Sequence, residues 1–158
     1  MKGVHYYNSP VGELIIRSIN ESLTHVNFNK EEKEVEKITP VIIQAIAQLD
    51  EYFNGTRKYF DLPLTPEGTP FQKQVWEALQ EIPYGKTISY SQLAIQLGNL
   101  KTIRAVGLAN GQNPIAIIIP CHRVIGKDGS LVGYGGGLEN KVWLLRHEGA
   151  LADQLPLF

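Results

Sequence analysis

The hydrophobic pattern of the chain changes its period at a proline-rich break, and this change limits the possible fold more than any other feature. Three short β-forming runs come first, at Val4–Tyr7, Leu14–Ile19 and Leu23–Phe28. Apolar residues then recur at helical spacing from Ile42 to Phe53. Residues 61–69 contain two prolines and a glycine without any period, which predicts a linker. We therefore expect an α/β domain over residues 1–66 and a second domain over residues 67–158.

Helix signals dominate the second domain. Thr69 with Gln72, and Ser89 with Gln92, have the spacing of capping boxes, and Asn99 is a third helix cap. Two short helices that meet at residues 97–99 predict a helix-turn-helix. On the second of these helices, the expected inward residues are Leu100, Ile103, Val106 and Gly107, and the expected outward residues are Lys101, Arg104, Ala105 and Leu108, with Ala109 at the edge. This thin outward surface is what a helix that enters a nucleic-acid groove needs. An ordinary solvated helix would have the same pattern, so both interpretations stay open.

The longest uninterrupted apolar run is Ile115–Ile119, which predicts a buried strand. A membrane-spanning helix needs about 20 consecutive apolar residues, and the longest run of this chain is too short to form one. The first residues lack the apolar stretch of a secretory signal. We expect a cytoplasmic protein without membrane contact, whose last helix lies over residues 139–147.

The formal net charge of -1 conceals an uneven distribution. The first 66 residues carry seven Lys and Arg against nine Asp and Glu, whereas residues 84–146 carry seven against two. Binding to nucleic acid depends on local charge, so a polyanion is expected to meet the second domain.

Cys121 is the only cysteine of the chain, which excludes an internal disulfide and a multi-cysteine metal site. A single cysteine is commonly a small core residue. Its neighbours His122 and Arg123 instead favour the reactive thiolate. Successive side chains of a straight strand point to opposite faces, so His122 can serve Cys121 only if the chain turns at Pro120 or a water bridges the two side chains.

The heptapeptide Ile119–Ile125, IPCHRVI, resembles the active-site signature of the methylated-DNA–protein-cysteine methyltransferases, or O6-alkylguanine-DNA alkyltransferases. Further segments resemble the family in order and at similar spacing, namely Ser89–Ala94, Arg104–Gly107, Asn113–Pro114, Gly133–Gly136 and Trp143–Gly149. The resemblance covers Thr69 to Gly149 and is looser in the N-terminal third. It implies a ribonuclease-H-like fold for the first domain and a mainly α, winged-helix-like fold with a helix-turn-helix for the second.

The resemblance implies that Cys121 accepts the alkyl group of O6-alkylguanine, and of O4-alkylthymine, in DNA repair by direct reversal. His122 would act on the cysteine through a bound water, Glu148 would orient His122, and Asn113 would hold the bend near the site. Tyr90 would hydrogen-bond the departing base. The base pocket would be lined by Tyr134, Gly135 and Gly136. The thioether product has no good leaving group, so each molecule would react once, and no metal or cofactor is expected.

The resemblance also implies how the protein meets DNA. The helix-turn-helix would dock in the minor groove of double-stranded DNA, the damaged nucleotide would flip out of the duplex, and Arg104 would enter the gap. The residues expected to contact DNA are Tyr90, Lys101, Arg104, Ala105, Ala109 and Arg123. The protein is expected to be a monomer in solution.

Three other functions stay open on the sequence. A lesion-binding protein without chemistry would be expected to lack Cys121. A cysteine hydrolase would share Cys121 and His122 but would turn over repeatedly. A plain helix-turn-helix regulator would need neither Cys121 nor Glu148 and would show a sharp sequence preference.

Overall fold

The computed structural model describes residues 1–131 and 133–151, which form two compact units. The first unit contains residues 1–67 together with 114–118, and the second contains residues 68–113 and the described residues from 119 to 151. The segment 114–118 thus differs from the predicted division, which placed it in the second domain. It belongs to the first unit because Ile115 forms a parallel bridge with Val26, whose carbonyl accepts from the Ala116 N–H at 2.8 Å.

The first unit is an antiparallel sheet covered by one helix, as predicted. Its elements are β1 (Lys2–Ser9), β2 (Gly12–Ile19), β3 (Ser22–Phe28) and α1 (Pro40–Phe53). The strands pair in the order β1-β2-β3, and α1 packs on all three. Completely buried side chains fill the space between sheet and helix, among them Leu14, Ile16, Leu23, Val26, Ile42 and Leu49.

The predicted linker contributes backbone pairing to this unit. Leu64 forms a parallel bridge with Leu23 of β3. The Leu23 N–H donates to the Pro63 carbonyl at 2.9 Å, and the Thr65 N–H donates to the Leu23 carbonyl at 2.8 Å. Residues 63–65 therefore extend the sheet edge by one short pairing instead of running free.

The second unit is mainly helical, as predicted. Its elements are α2 (Pro70–Leu79), β4 (Ile88–Ser89), α3 (Tyr90–Gln96), a 3-10 helix (Leu100–Thr102), α4 (Ile103–Gly111), a second 3-10 helix (Cys121–Arg123), β5 (Val124–Ile125) and α5 (Leu138–His147). The helices α2 and α3 both pack on α4. Trp76 of α2 is buried and donates its Nε1–H to the Ala109 carbonyl at 2.9 Å, which ties α2 to α4.

The predicted helix caps are confirmed. The Thr69 and Ser89 hydroxyls accept from the backbone N–H groups of Gln72 and Gln92, whose side chains return a hydrogen bond to each cap residue. The Asn99 side chain accepts from the Lys101 N–H at 2.9 Å. Local residue chemistry therefore sets where these helices begin.

The prediction of a strand at Ile115–Ile119 is wrong, although all five residues are buried. Only Ile115 makes a bridge, and Ile117 adopts a left-handed conformation with φ 72°. The Ile118 N–H donates to the Ala116 carbonyl at 2.8 Å, which closes a tight turn. A run of apolar residues indicates that a segment is buried but does not indicate its backbone conformation. The turn at Ile117 could therefore not be predicted from it.

Within the described ranges, no helix combines the length and the apolar character that a bilayer crossing requires.

Candidate active site

The chain turns at Pro120, which is one of the two arrangements expected to let His122 serve Cys121, the other being a bridging water. Pro120 has φ -82° and ψ 64°, and Cys121–Arg123 form a single 3-10 turn. The Cys121 N–H donates to the Ile119 carbonyl at 2.8 Å, and the Arg123 N–H donates to the Pro120 carbonyl at 3.0 Å. A helical turn removes the strict alternation of a strand, so successive side chains are no longer forced to opposite faces.

His122 and Glu148 form a completely buried pair, with 2.8 Å between His122 Nε2 and Glu148 Oε2. Burial lowers the pKa of His122, and this outweighs the opposing effects of its hydrogen bond to Glu148 and of the Glu148 charge, so the imidazole is neutral at pH 7. Because the carboxylate can only accept, Nε2 carries the proton and Nδ1 is left as the basic nitrogen. Nδ1 is buried and has no hydrogen-bond partner among the described residues.

Arg123 was predicted to contact DNA, and the structure contradicts this. The side chain is buried, with Nε and Nη2 donating to Glu148 at 2.8 and 3.0 Å and Nη1 donating to the Ile82 carbonyl at 2.7 Å. Its guanidinium also lies 5.8 Å from the ring centre of Tyr84. The sequence shows a cation close to the cysteine, but it does not show that this cation pairs with Glu148, 25 residues further along the chain.

Glu148 is buried and ionised. Burial alone would raise its pKa, but hydrogen bonds from His122 and Arg123, together with the Arg123 charge, lower it to about 2. Because His122 is neutral, the positive charge that holds the carboxylate ionised belongs to Arg123. Arg123 and Glu148 therefore neutralise each other, and His122 remains beside the cysteine as a neutral base.

The prediction that His122 and Arg123 favour the Cys121 thiolate is also wrong. Cys121 is 6% exposed, and burial raises its pKa in spite of a hydrogen bond from Asn113 and the charge of Lys141. The resting side chain is therefore a thiol at pH 7. The site needs a proton acceptor at the moment of reaction, and His122 Nδ1 is of the right chemical type.

Lys141 of α5 is a site residue that the sequence analysis missed. It is completely buried, and Nζ donates to the Val124 carbonyl at 2.8 Å. Burial lowers its pKa to about 8, against the opposing charge of Cys121. It lies three and four residues before the buried Leu144 and Leu145, so helical spacing already assigned it to the inward face.

Two asparagines hydrogen-bond Cys121 and the backbone that precedes it. Asn113 donates Nδ2–H to the Ile119 carbonyl at 2.7 Å and hydrogen-bonds the Cys121 thiol. Asn110, which the sequence analysis missed, donates Nδ2–H to the Cys121 carbonyl at 3.4 Å. Asn110 follows the buried Val106 by four residues, so the helical period could have found it.

Tyr90 lies at the start of α3, close enough to Cys121 for the charged forms of the two side chains to interact. Burial raises its pKa, the Cys121 charge adds to the rise, and a hydrogen bond from Asn110 opposes both. Tyr134 has a buried hydroxyl and a pKa raised well above its usual value by burial, by Cys121 and by Glu148. The structure thus brings both predicted tyrosines to the cysteine.

Among the other predicted loop residues, Gly135 is exposed and the Gly136 carbonyl accepts from Asn140 Nδ2 at 2.8 Å.

The outward face of α4 and its preceding turn agrees with prediction in Lys101, Arg104 and Ala105, which are all exposed. Two neighbours differ. Leu100 was expected inside and is 54% exposed, whereas Ala109 was expected to contact DNA and is 2% exposed. The 3-10 turn at Leu100–Thr102 shifts the helical phase, and α2 covers Ala109 through Trp76.

In the part of the chain that the structure describes, no three His, Cys, Asp or Glu side chains are placed to hold a metal ion together.

Two family models match the chain. The model described as 6-O-methylguanine DNA methyltransferase, ribonuclease-like domain, matches residues 4–66, and the model described as the DNA binding domain of the same methyltransferase matches residues 70–150. A methylated-DNA–protein-cysteine methyltransferase of Methanosarcina acetivorans is 49% identical, covering 91% of this chain and 96% of the relative. The constitutive one of Bacillus subtilis is 45% identical, covering 92% and 96%.

Solved structures give the same result. The crystal structure of the Mycobacterium tuberculosis O6-methylguanine methyltransferase matches with a TM-score of 0.86 and 43% identity, over 98% of this chain and 96% of that one. The Mycobacterium tuberculosis OGT crystallised in complex with DNA matches with a TM-score of 0.85 and 44% identity, over 93% and 92%.

Proposed function

This chain belongs to the methylated-DNA–protein-cysteine methyltransferase family, and from that premise we propose that Cys121 is the residue that accepts the alkyl group. The protein is an O6-methylguanine DNA methyltransferase, which binds DNA and repairs it by methyl transfer to a protein cysteine. Cys121 is the only cysteine of the chain. The observation that carries the proposal is the buried His122, whose Nε2 is held by Glu148 and whose Nδ1 is basic.

The transfer is a displacement at the carbon bound to O6 of guanine. His122 Nδ1 takes the thiol proton through a bridging water, and the sulfur attacks the alkyl carbon. The new S–C bond forms as the C–O bond breaks, and the bonding pair leaves with the base. Glu148 stabilises the imidazolium that forms, as a carboxylate does in a catalytic triad.

The guanine anion is a poor leaving group, so the base needs a proton as the C–O bond breaks. Tyr90 is the donor in this proposal, and the imidazolium proton of His122 restores the Tyr90 hydroxyl afterwards. Guanine thus keeps the Tyr90 proton, the thiol proton replaces it on Tyr90 through His122, and the cysteine ends as a thioether. A thioether cannot release its carbon, so each molecule reacts once. O4-alkylthymine presents the same type of carbon–oxygen bond and is a second substrate.

The target carbon lies inside the base stack, so the nucleotide must be flipped out, at a cost of a few kcal/mol. The exposed Arg104 is proposed to fill the gap that the nucleotide leaves. Lys101 and Ala105 share this face, and small side chains suit a narrow minor groove. Tyr134, Gly135 and Gly136 form the base pocket, Asn113 holds the bend, and the protein acts as a monomer in the cytoplasm.

The test mixes the protein with duplex DNA that contains one O6-methylguanine and follows the intact mass and the modified peptide. We expect one added CH2 on Cys121, a restored guanine, and a reaction that stops at one equivalent. Cys121→Ser is the matched control, which we expect to bind the DNA without becoming methylated. Continued turnover with release of methanol would instead identify a hydrolase, and binding without any transfer would identify a lesion-binding protein.

Arg104→Ala tests the DNA-binding face separately. We expect it to react normally with the free base O6-benzylguanine and to lose repair of duplex DNA. The control Lys2→Ala removes an exposed cation from the first unit and should leave both reactions unchanged. Equal losses on both substrates in Arg104→Ala would assign Arg104 to the fold.

A further inference from the structure

Asn110 is a buried polar residue on α4 whose role the proposed mechanism does not use. It is 4% exposed and shares the packed side of the helix with the buried Val106 and Ala109. Burying an amide is unfavourable unless its hydrogen bonds are made. Its Oδ1 nevertheless has no hydrogen-bond partner among the described residues. A leucine of similar branched shape would avoid that cost, so the amide has to be explained by what it bonds.

The Nδ2 group of Asn110 reaches two groups of the active site. It donates to the Cys121 carbonyl at 3.4 Å, which is a long hydrogen bond. It also hydrogen-bonds Tyr90 and favours the charged form of that side chain. A hydrogen bond that favours a phenolate is one donated to its oxygen, so we assign the amide N–H of Asn110 as the donor.

The ring of Tyr90 lies along the same helix. A Cβ added to Gly107 would be 3.8 Å from Cδ1 and 3.9 Å from Cε1 of Tyr90, so the ring rests in ordinary contact over that glycine. Asn110 follows Gly107 by three residues, which places it on the same side of α4 one turn further on. The helix therefore supports the ring at Gly107 and the hydroxyl at Asn110.

We propose that Asn110 is a positioning residue of methyl transfer, whose amide N–H holds the Tyr90 hydroxyl in place and stabilises the phenolate left when Tyr90 gives its proton to the departing base. The inference rests on the proposed role of Tyr90 as that donor. Burial raises the pKa of Tyr90 and opposes formation of a phenolate, and Asn110 supplies a donor at the oxygen where the charge develops.

The test compares four proteins in single-turnover methyl transfer from duplex DNA: the wild type, Tyr90→Phe, Asn110→Leu and the double variant. A hydrogen bond to a charged group contributes about 1.5 to 3 kcal/mol, so we expect Asn110→Leu to slow transfer roughly 10- to 100-fold. Because Asn110 acts through the Tyr90 hydroxyl, the double variant should be no slower than Tyr90→Phe.

A merely structural role gives a different pattern. If Asn110 only supports the fold around Cys121, the losses of the two single variants multiply in the double variant, and the proposal is overturned. A wild-type rate in Asn110→Leu also overturns the proposal. If Tyr90→Phe is slow in the same experiment, the proposed function is unaffected. A wild-type rate in Tyr90→Phe overturns both this proposal and the proposed role of Tyr90 as proton donor, and leaves Cys121 as the acceptor.

Two further measurements guard against a folding defect. The rate of Cys121 alkylation by iodoacetamide should be the same in all four proteins, because this reaction has no departing base. The tyrosinate absorbance that Tyr90→Phe removes should appear at higher pH in Asn110→Leu than in the wild type. If Asn110→Leu does not fold, Asn110→Ser takes its place in the same cycle. An unchanged titration of Tyr90 would contradict the proposal.

Discussion

Replacing Glu148 by glutamine removes one negative charge from a site on which three hydrogen bonds converge. The two carboxylate oxygens accept from His122 Nε2, Arg123 Nε and Arg123 Nη2, at 2.8, 2.8 and 3.0 Å. The glutamine oxygen can still accept, but its NH2 group would face a donor of Arg123 or His122. The variant therefore keeps the shape of the site and leaves the Arg123 charge buried without a counter-charge.

The size of the effect follows from the pKa of Glu148, which is lowered from 4.5 to about 2. A shift of this size corresponds to roughly 3 kcal/mol of stability. Removing one partner of a buried ion pair costs about 3 to 5 kcal/mol, which is an independent basis for the same magnitude. We expect Glu148→Gln to lose about 3 kcal/mol at pH 7. Because the folded pKa lies below the usual value, this contribution is complete above about pH 5 and is lost as the pH falls toward 2.

The assay is urea unfolding followed by tryptophan fluorescence. Trp76 and Trp143 are the two tryptophans of the chain and both belong to the second unit, so the signal reports on the unit that contains the site. Glu139→Gln is the matched control, since Glu139 is exposed in the first turn of the same helix, and it should lose less than about 1 kcal/mol. A loss in Glu148→Gln as small as that of the control, or one that does not shrink between pH 5 and pH 3, would refute the reasoning.

Three other predictions test the fold and the charge of the site. Ser89→Ala removes the cap of α3 and should lower the unfolding free energy by about 1 kcal/mol, whereas Ser91→Ala should not. Gly3→Ala places a Cβ 2.5 to 2.8 Å from the side chains of Ser18, Thr39 and Ile42 and should lose about 1 to 3 kcal/mol; a thermal melt with an unchanged midpoint would contradict this. Lys141 has a pKa lowered to about 8, so its deprotonation makes the folded state more stable as the pH rises from about 8 toward 10. Urea unfolding at several pH values should show this rise in the wild type relative to Lys141→Met, and parallel curves would rule it out.

The features that the sequence predicted well are those with local causes. The capping boxes at Thr69 and Ser89 are complete within four residues, and the three strands and α1 have clear periods of two and 3.6. The turn at Pro120 was one of two alternatives that steric reasoning about adjacent residues allowed. These predictions needed no knowledge of what packs against each segment.

The features that the sequence missed depend on contacts between distant residues. Arg123 is buried because Glu148, 25 residues away, accepts from it. The pKa of Cys121 is raised because burial outweighs its charged neighbours, and burial at one position is a property of the whole unit. Ala109 is covered by Trp76 of another helix. The helical period places Lys141 and Asn110 on buried faces, but polar side chains are normally expected at the surface.

The inclusion of residues 114–118 in the first unit has a consequence for the chain as a whole. The polypeptide passes from one unit to the other at three places, after residues 67, 113 and 118, so cutting the proline-rich segment severs only one of the connections. A fragment beginning at residue 67 would carry Ile115 and Ala116 without the strand edge that receives them. The alkyl-accepting half of this protein is therefore not an interchangeable module, because part of its own length is a structural component of its neighbour.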